Sequence, residues 1–312
     1  MNSDYYTKEF KGKNIFYVNR NIFLTEEILK EMTKYNIIEF CKTFNQPIDN
    51  LPSEIQSITF NKYSKFNQCI DNLPSELQSL SFGYKSVFNQ KVDKLPSRLQ
   101  NLNFGTEFNQ PVDNLPSGLQ NLSFGTNFNQ PVDNLPSGLQ NLDFIDDSKF
   151  NQTVDNLPSG LQNLKFGTNF NQTVDNLPSG LQNLKFGTNF NQTVDNLPKE
   201  LKDLFFCVNF NQKVDNLPSE LQTINFSKNF NHPVDNLPSG LQKITFEPFS
   251  KFNQSINNLP SELKNLTFSM YSEFNQSIDN LPLRLQNLTF ASFSKFNQSI
   301  DNLSTSIKII RD

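Results

Sequence analysis

Phe128-Asn-Gln-Pro-Val-Asp-Asn-Leu-Pro-Ser-Gly-Leu-Gln-Asn-Leu-Asp-Phe144 is the stretch whose reading decides the fold. With small changes it starts again at Phe44, Phe66, Phe88, Phe108, Phe150, Phe170, Phe190, Phe210, Phe230, Phe252, Phe274 and Phe296. A unit that returns every 20 or 22 residues reads as a solenoid, in which each turn buries its apolar side chains against its neighbours. The first slot is Phe and the second Asn in all thirteen copies. The fifth is Val or Ile, the eighth Leu, the twelfth and fifteenth Leu or Ile, and the seventeenth Phe in every copy but the last. These six slots define the core. Of the 32 phenylalanines, 25 occupy such slots and Phe40 takes the equivalent place ahead of the first copy, so the aromatic load is architectural first.

The slots around the fifteenth and seventeenth, as in Asn121-Leu-Ser-Phe124, alternate polar and apolar as a half-buried strand does. Stacked copies predict one long parallel sheet on the concave face of a curved array. The return path Val-Asp-Asn-Leu-Pro-Ser-Gly is too short and too rich in Pro and Asn for a helix, so irregular convex turns are expected. The fold class is therefore a β-rich, leucine-rich-repeat-like solenoid of thirteen repeats over residues 44–312.

Residues 1–43 differ, and we read them as an N-terminal cap over the first core layer. Ile15 to Asn19 reads as a short strand. Thr25 is placed to cap a helix over about Glu26 to Tyr35, with Ile28, Leu29, Met32 and Tyr35 on one face. Asn36-Ile-Ile-Glu-Phe40 copies the end of a repeat and predicts the first sheet strand. Ile307-Lys-Ile-Ile310 predicts the last, an imperfect one.

A net charge of −4 with interspersed signs lacks the basic stripe that nucleic acid asks for. No run is long and apolar enough for a membrane span, and Met1 to Tyr6 lacks the apolar segment of a signal peptide. Cys41, Cys69 and Cys207 have no metal-ligand spacing and read as reduced thiols of a cytoplasmic protein. Neither cofactor nor metal is expected, and oligomeric state is not legible. Catalysis needs a nucleophile, base and orienter that converge, whereas Ser and Asp here are periodic and the one histidine, His232, sits in a Gln column. An enzyme is not expected. Gly105, Gly125, Gly167 and Gly187 occupy turn slots and form no phosphate loop.

The repeated Phe-Asn-Gln-[Pro/Thr/Ser]-[Val/Ile], followed by Leu-Pro-Ser-Gly-Leu-Gln-Asn-Leu-x-Phe, resembles the FNIP repeat family from residue 44 to about 310. That family is known from amoebae and from giant DNA viruses (mimivirus-like), sometimes behind an F-box. The resemblance implies a leucine-rich-repeat-like scaffold for protein recognition, often for substrate recruitment to ubiquitin ligases, and host-cell cytoplasm for a viral member. An F-box is a bundle of several helices, and one helix precedes these repeats, so none is expected in residues 1–43.

The second-slot Asn column predicts an internal amide ladder. The sixth-slot Asp column, Asp49 to Asp301 with Asn257 as the exception, predicts backbone-bonded turns in preference to calcium sites. Departures from the repeat carry the functional reading. The sixteenth slot faces solvent and is usually Ser, Thr or Asn, but successive repeats place Asp143, Lys165, Lys185 and Phe205 there. We read these four as candidate partner contacts. Six two-residue insertions fall between one repeat's last Phe and the next repeat's first. In three of them Phe249, Tyr271 and Phe293 recur at one position, either folded over the core or exposed as an aromatic partner strip. The expected function is a protein-binding scaffold that engages a partner on the concave face. A structural protein making repetitive assembly contacts is the alternative.

Overall fold

Two residues out of each repeat's apolar set, Leu or Ile at slot fifteen and Phe at slot seventeen, lie two apart and so point to one side of a strand. The computed structural model describes residues 6–10 and 13–311 and builds the molecule on that alternation. The elements are β1 (Tyr6–Phe10), β2 (Lys13–Val18), α1 (Glu26–Met32), β3 (Ile37–Phe40), β4 (Ser57–Phe60), β5 (Ser79–Ser81), β6 (Asn101–Asn103), β7 (Asn121–Phe124) and β8 (Asn141–Phe144). They continue as β9 (Asn163–Lys165), β10 (Asn183–Lys185), β11 (Asp203–Phe205), β12 (Thr223–Phe226), β13 (Lys243–Phe246), β14 (Asn265–Phe268), β15 (Asn287–Phe290) and β16 (Lys308–Arg311). Among the described residues α1 is the only helix.

The chain divides into two compact units, Met1–Gln152 with Asn156–Leu161, and Thr153–Asp155 with Gln162–Asp312. In unit 1, β2 to β8 pair in parallel, each with the next, and β1 adds to β2 antiparallel. In unit 2, β9 to β16 pair in parallel in the same way. Equivalent slots meet across the ladder: Ile38 pairs Ile58, Phe40 pairs Phe60, and Ile244 pairs Leu266. This is the leucine-rich-repeat-like solenoid that the periodicity predicts.

Behind the sheet, first-slot and seventeenth-slot rings interleave in two columns. Phe104 and Phe108 lie 3.6 Å apart between centroids and 5° from parallel, while Phe108 and Phe128 of adjacent turns lie 6.1 Å apart. Phe166 and Phe170 repeat the 3.6 Å contact in unit 2. The fifth, twelfth and fifteenth slots complete the interior, and eighth-slot leucines such as Leu115 close its edge at 8% exposure. Each buried side chain of this size contributes about 1.5–3 kcal/mol, and the stack repeats the contribution turn by turn. The return path turns twice without a helix. Its second turn is closed by the twelfth-slot N–H on the ninth-slot proline carbonyl, as from Leu119 to Pro116 at 3.1 Å. In the 20-residue repeats the chain passes so close to its neighbour that a Cβ on Gly125 would stand 2.1 Å from the Gly105 carbonyl oxygen.

Three expectations need correcting. Helix α1 stops at Met32, three residues early, because the Thr33 hydroxyl donates to the Lys30 carbonyl at 2.8 Å and the chain turns toward β3. Of its predicted apolar face Ile28 and Met32 are buried, whereas Leu29 and Tyr35 are half-buried. The last strand slips by one residue: Ile309, and not Ile310, pairs with Leu288, although the turn before it still closes from the Ile307 N–H to the Ser304 carbonyl at 3.1 Å. Strand β1 has no signal in the sequence reading.

Candidate functional site

Three polar columns are engaged by the stack itself. Asn45 Oδ1 accepts the Asn67 N–H at 2.9 Å and the Gln68 side-chain N–H at 3.1 Å, and the pattern repeats along both units. Asn21 supplies the same oxygen to Asn45 at 2.9 Å, so it stands in for the missing earlier repeat. The ladder forms as expected, but at a half-buried to exposed edge and not inside the core. His232 fits the Gln column because its Nε2 lies 3.0 Å from the Asn211 carbonyl oxygen.

The Asp column differs from its reading. Ten of the twelve Asp side chains accept from the seventh-slot Asn of the following repeat, as Asn134 Nδ2 donates to Asp113 Oδ1 at 3.0 Å and Asn196 to Asp175 at 3.1 Å. The carboxylates therefore tie turn to turn. Where Lys94 replaces Asn, an ion pair with Asp71 at 3.1 Å takes over and holds that carboxyl below its usual range, chiefly through the hydrogen bond. Among the described residues no three His, Cys, Asp or Glu side chains gather as metal ligands would.

What the stack leaves over is the sheet's solvent face and the insertion turns. In unit 1 the solvent face of β5 to β8 is a shallow trough of about 280 Å³, lined by Ser79, Ser81, Asn103, Ser123 and, at β8, Asp143. Asp143 pairs in register with Ser123. In unit 2 the parallel register sets Lys165 beside Lys185 and Lys185 beside Phe205. Lys185 is exposed, and Lys165 and Phe205 are half-buried. The three unit 2 candidates thus form one consecutive row, with Asn225 next to Phe205 on β12.

All six insertions place a serine two residues before the first-slot Phe. Ser64, Ser86, Ser148, Ser250 and Ser272 are fully buried, and each hydroxyl oxygen accepts the N–H of that Phe, at 3.1 Å from Phe66 and 3.2 Å from Phe252. Their recurrence in the sequence was the available signal. Phe249, Tyr271 and Phe293 are exposed, so they do not fold over the core. Their rings stack at 4.8 Å per step and within 7° of parallel, with Lys228 Nζ 5.4 Å from the Phe249 centroid. They cannot fold over a core that the Phe246–Phe252 contact at 4.1 Å already fills. On the unit 1 rim the Tyr84 hydroxyl donates to Asp147 Oδ2 at 3.0 Å, and that bond pushes the phenol pKa up.

The FNIP Repeat family model matches residues 44–85, 111–147 and 173–208. Among solved structures, CroV588, a circular leucine-rich-repeat protein of a giant virus (CroV), is similar at 31% identity and a TM-score of 0.61. The similarity covers 98% of this chain, which spans only 60% of that one. An internalin (InlF) of Listeria monocytogenes matches at 16% identity and a TM-score of 0.60, over 96% of this chain and 86% of that one. YopM of Yersinia enterocolitica matches at 17% and 0.54, over 88% and 67%. The last two speak for the fold alone. A comparison with curated proteins finds no match. No helix among the described residues is long and apolar enough to cross a membrane.

Proposed function

From a chain built of FNIP repeats on a leucine-rich-repeat-like solenoid, we propose a protein-recognition scaffold without catalytic chemistry of its own. Stacked turns present side chains from rigid, evenly spaced strands, and solenoids use such surfaces to bind partners. Specificity then falls to the positions that break the repeat. The observation that carries the reading is the row Lys165, Lys185, Phe205 on three register-paired strands. Two lysines side by side cost a sheet stability where Ser or Thr would not, and a phenylalanine on a polar face suits a partner's pocket. A partner engaging this row would present carboxylates beside an apolar cleft. Recruitment of such a partner for further processing, in the host-cell cytoplasm for a viral protein, is the finer form of the proposal. Asp143 extends the candidate set in unit 1, and Phe249, Tyr271 and Phe293 are the second surface.

The test is partner capture by the tagged chain, compared with Phe205→Ala and Lys185→Glu after each variant is shown to melt like the parent. Loss of the captured protein with either variant supports the row as the site. Unchanged capture by both removes it and moves the question to the aromatic strip. Sedimentation that shows concentration-dependent self-association, with no captured protein, would favour the assembly reading.

A further inference from the structure

The rim of unit 1 carries a second surface that the sheet-face reading does not use. There the first two insertions stack on the turn that precedes Phe44. The Lys65 N–H donates to the Lys42 carbonyl at 2.9 Å, and the Lys85 N–H to the Lys62 carbonyl at 2.7 Å. These bonds hold three successive turns in register, so their side chains leave the backbone about one strand spacing apart. Tyr63 stands among them, 46% exposed. The Nζ atoms of Lys42, Lys62 and Lys85 lie 5.6, 5.6 and 5.7 Å from its ring centroid.

The ring attracts each ammonium through its π face, but the three charges repel one another. Among the described residues none of the three, nor Lys65, makes an ion pair with a carboxylate. A chain of net charge −4 therefore concentrates uncompensated positive charge at one place. The same two turns expose Tyr84 at 41% and Val87 at 42%, so the surface is apolar as well as basic. A phosphate or a nucleic-acid backbone would use the ammonium groups and leave this apolar area uncovered. A peptide with carboxylates next to apolar side chains would use both.

We propose that the Lys42–Lys62–Tyr63–Lys85 rim binds an acidic, partly apolar peptide segment of a partner protein. Carboxylates of the segment would sit among the ammonium groups, and its apolar side chains would cover Tyr63, Tyr84 and Val87. The site is separate from the β9–β11 row and stands or falls by itself.

The experiment uses the full chain and a short fluorescein-labelled peptide of alternating Glu and Leu, read by anisotropy. Expected is saturable binding that weakens roughly tenfold between about 50 and 200 mM salt. Lys62→Glu with Lys85→Glu should weaken it by a further tenfold or more, and Tyr63→Ala several-fold. All these side chains are exposed, so the variants should melt like the parent. Phe205→Ala should leave binding unchanged. The proposal fails if the peptide does not bind or if its Gln-for-Glu counterpart binds equally well. It also fails if a single-stranded oligonucleotide of the same charge binds as tightly, or if well-folded charge-reversal variants retain full affinity. Loss of binding in Phe205→Ala would place the peptide on the sheet face and overturn the rim as its site.

Discussion

The insertions of unit 1 and those of unit 2 have the same length and the same serine, yet they part company one residue earlier. In unit 1 the turn closes on itself and backward: the Tyr63 N–H meets Asn61 Oδ1 at 3.1 Å, and the Lys85 N–H reaches back to Lys62. In unit 2 the equivalent N–H groups reach forward, from Phe249 to the Met270 carbonyl at 2.8 Å and from Tyr271 to Ser292 at 3.1 Å. The reversal follows from φ. Phe249, Tyr271 and Phe293 adopt values of 61°, 59° and 60°, and they are the non-glycine residues with positive φ among those described. A left-handed residue costs about 1–2 kcal/mol. A hydrogen bond to the next turn, at about 0.5–1.5 kcal/mol, and a ring stack of similar size offset that cost. The comparison teaches that the inner half of each turn answers to the core and the outer half answers to its neighbour in the stack. Where neighbours carry rings, the turn flips to stack them. Where they carry lysines, it does not.

The largest effect expected tests the shared inner half. Phe66→Ala and Phe252→Ala each remove a ring of 0% exposure, and each should cost about 3–5 kcal/mol in denaturant unfolding. Clearly unequal costs would break the claim that the two kinds of turn sit on equivalent cores. Next come the serines. Ser64→Ala and Ser250→Ala each leave a buried Phe N–H without its acceptor, which should cost about 1–3 kcal/mol in both units.

A smaller effect with a sign reversal sharpens the contrast. At Tyr271, where φ is 59°, the Gly variant should be more stable than the Ala variant by about 1 kcal/mol, because both lose the stack and only Gly sheds the strain. At Tyr63, whose φ is not positive, Ala should be the more stable by about 0.5–1 kcal/mol. The same order at both sites would contradict the flipped geometry.

The smallest effect concerns the carboxylate column. A hydrogen bond and ion pair with Lys94 hold Asp71 below its usual pKa, whereas bonds from the neutral Ser277 and Asn302 do so for Asp279. A depressed carboxyl contributes stability above its unfolded pKa, about 3.9, and that stability is lost as pH falls through the lower folded value. Both groups are solvent-exposed, so thermal melts should decline only slightly between pH 5 and the folded pKa. Carboxyl titration by NMR should show that about 0.5 M salt raises the Asp71 pKa more than that of Asp279, since screening acts on the charged pair. An equal response would mean that Lys94 contributes no charge effect.

The periodic slots by themselves determined the solenoid, the six core columns and the register that lines up Lys165, Lys185 and Phe205. A side chain one residue away from two buried neighbours on a strand has to face solvent, so slot sixteen was legible without coordinates. The parallel pairing followed too, because every copy runs in the same direction. Tertiary structure alone decided the partners. The Asp of slot six could bond its own turn or the next repeat's Asn, and only the distance between stacked turns selects the second. The last copy has the full number of residues, yet Ile309 stands in the column that counting assigns to Ile310. Phe249, Tyr271 and Phe293 have the composition of a core and the exposure of a surface. The interior was already full, and their backbone took a left-handed form that stacks the rings and, at Phe249 and Tyr271, meets a carbonyl of the next turn. Lys62 is the chain neighbour of Tyr63, but Lys42 and Lys85 stand about one repeat away on either side, and the stacking of three turns is what gathers them.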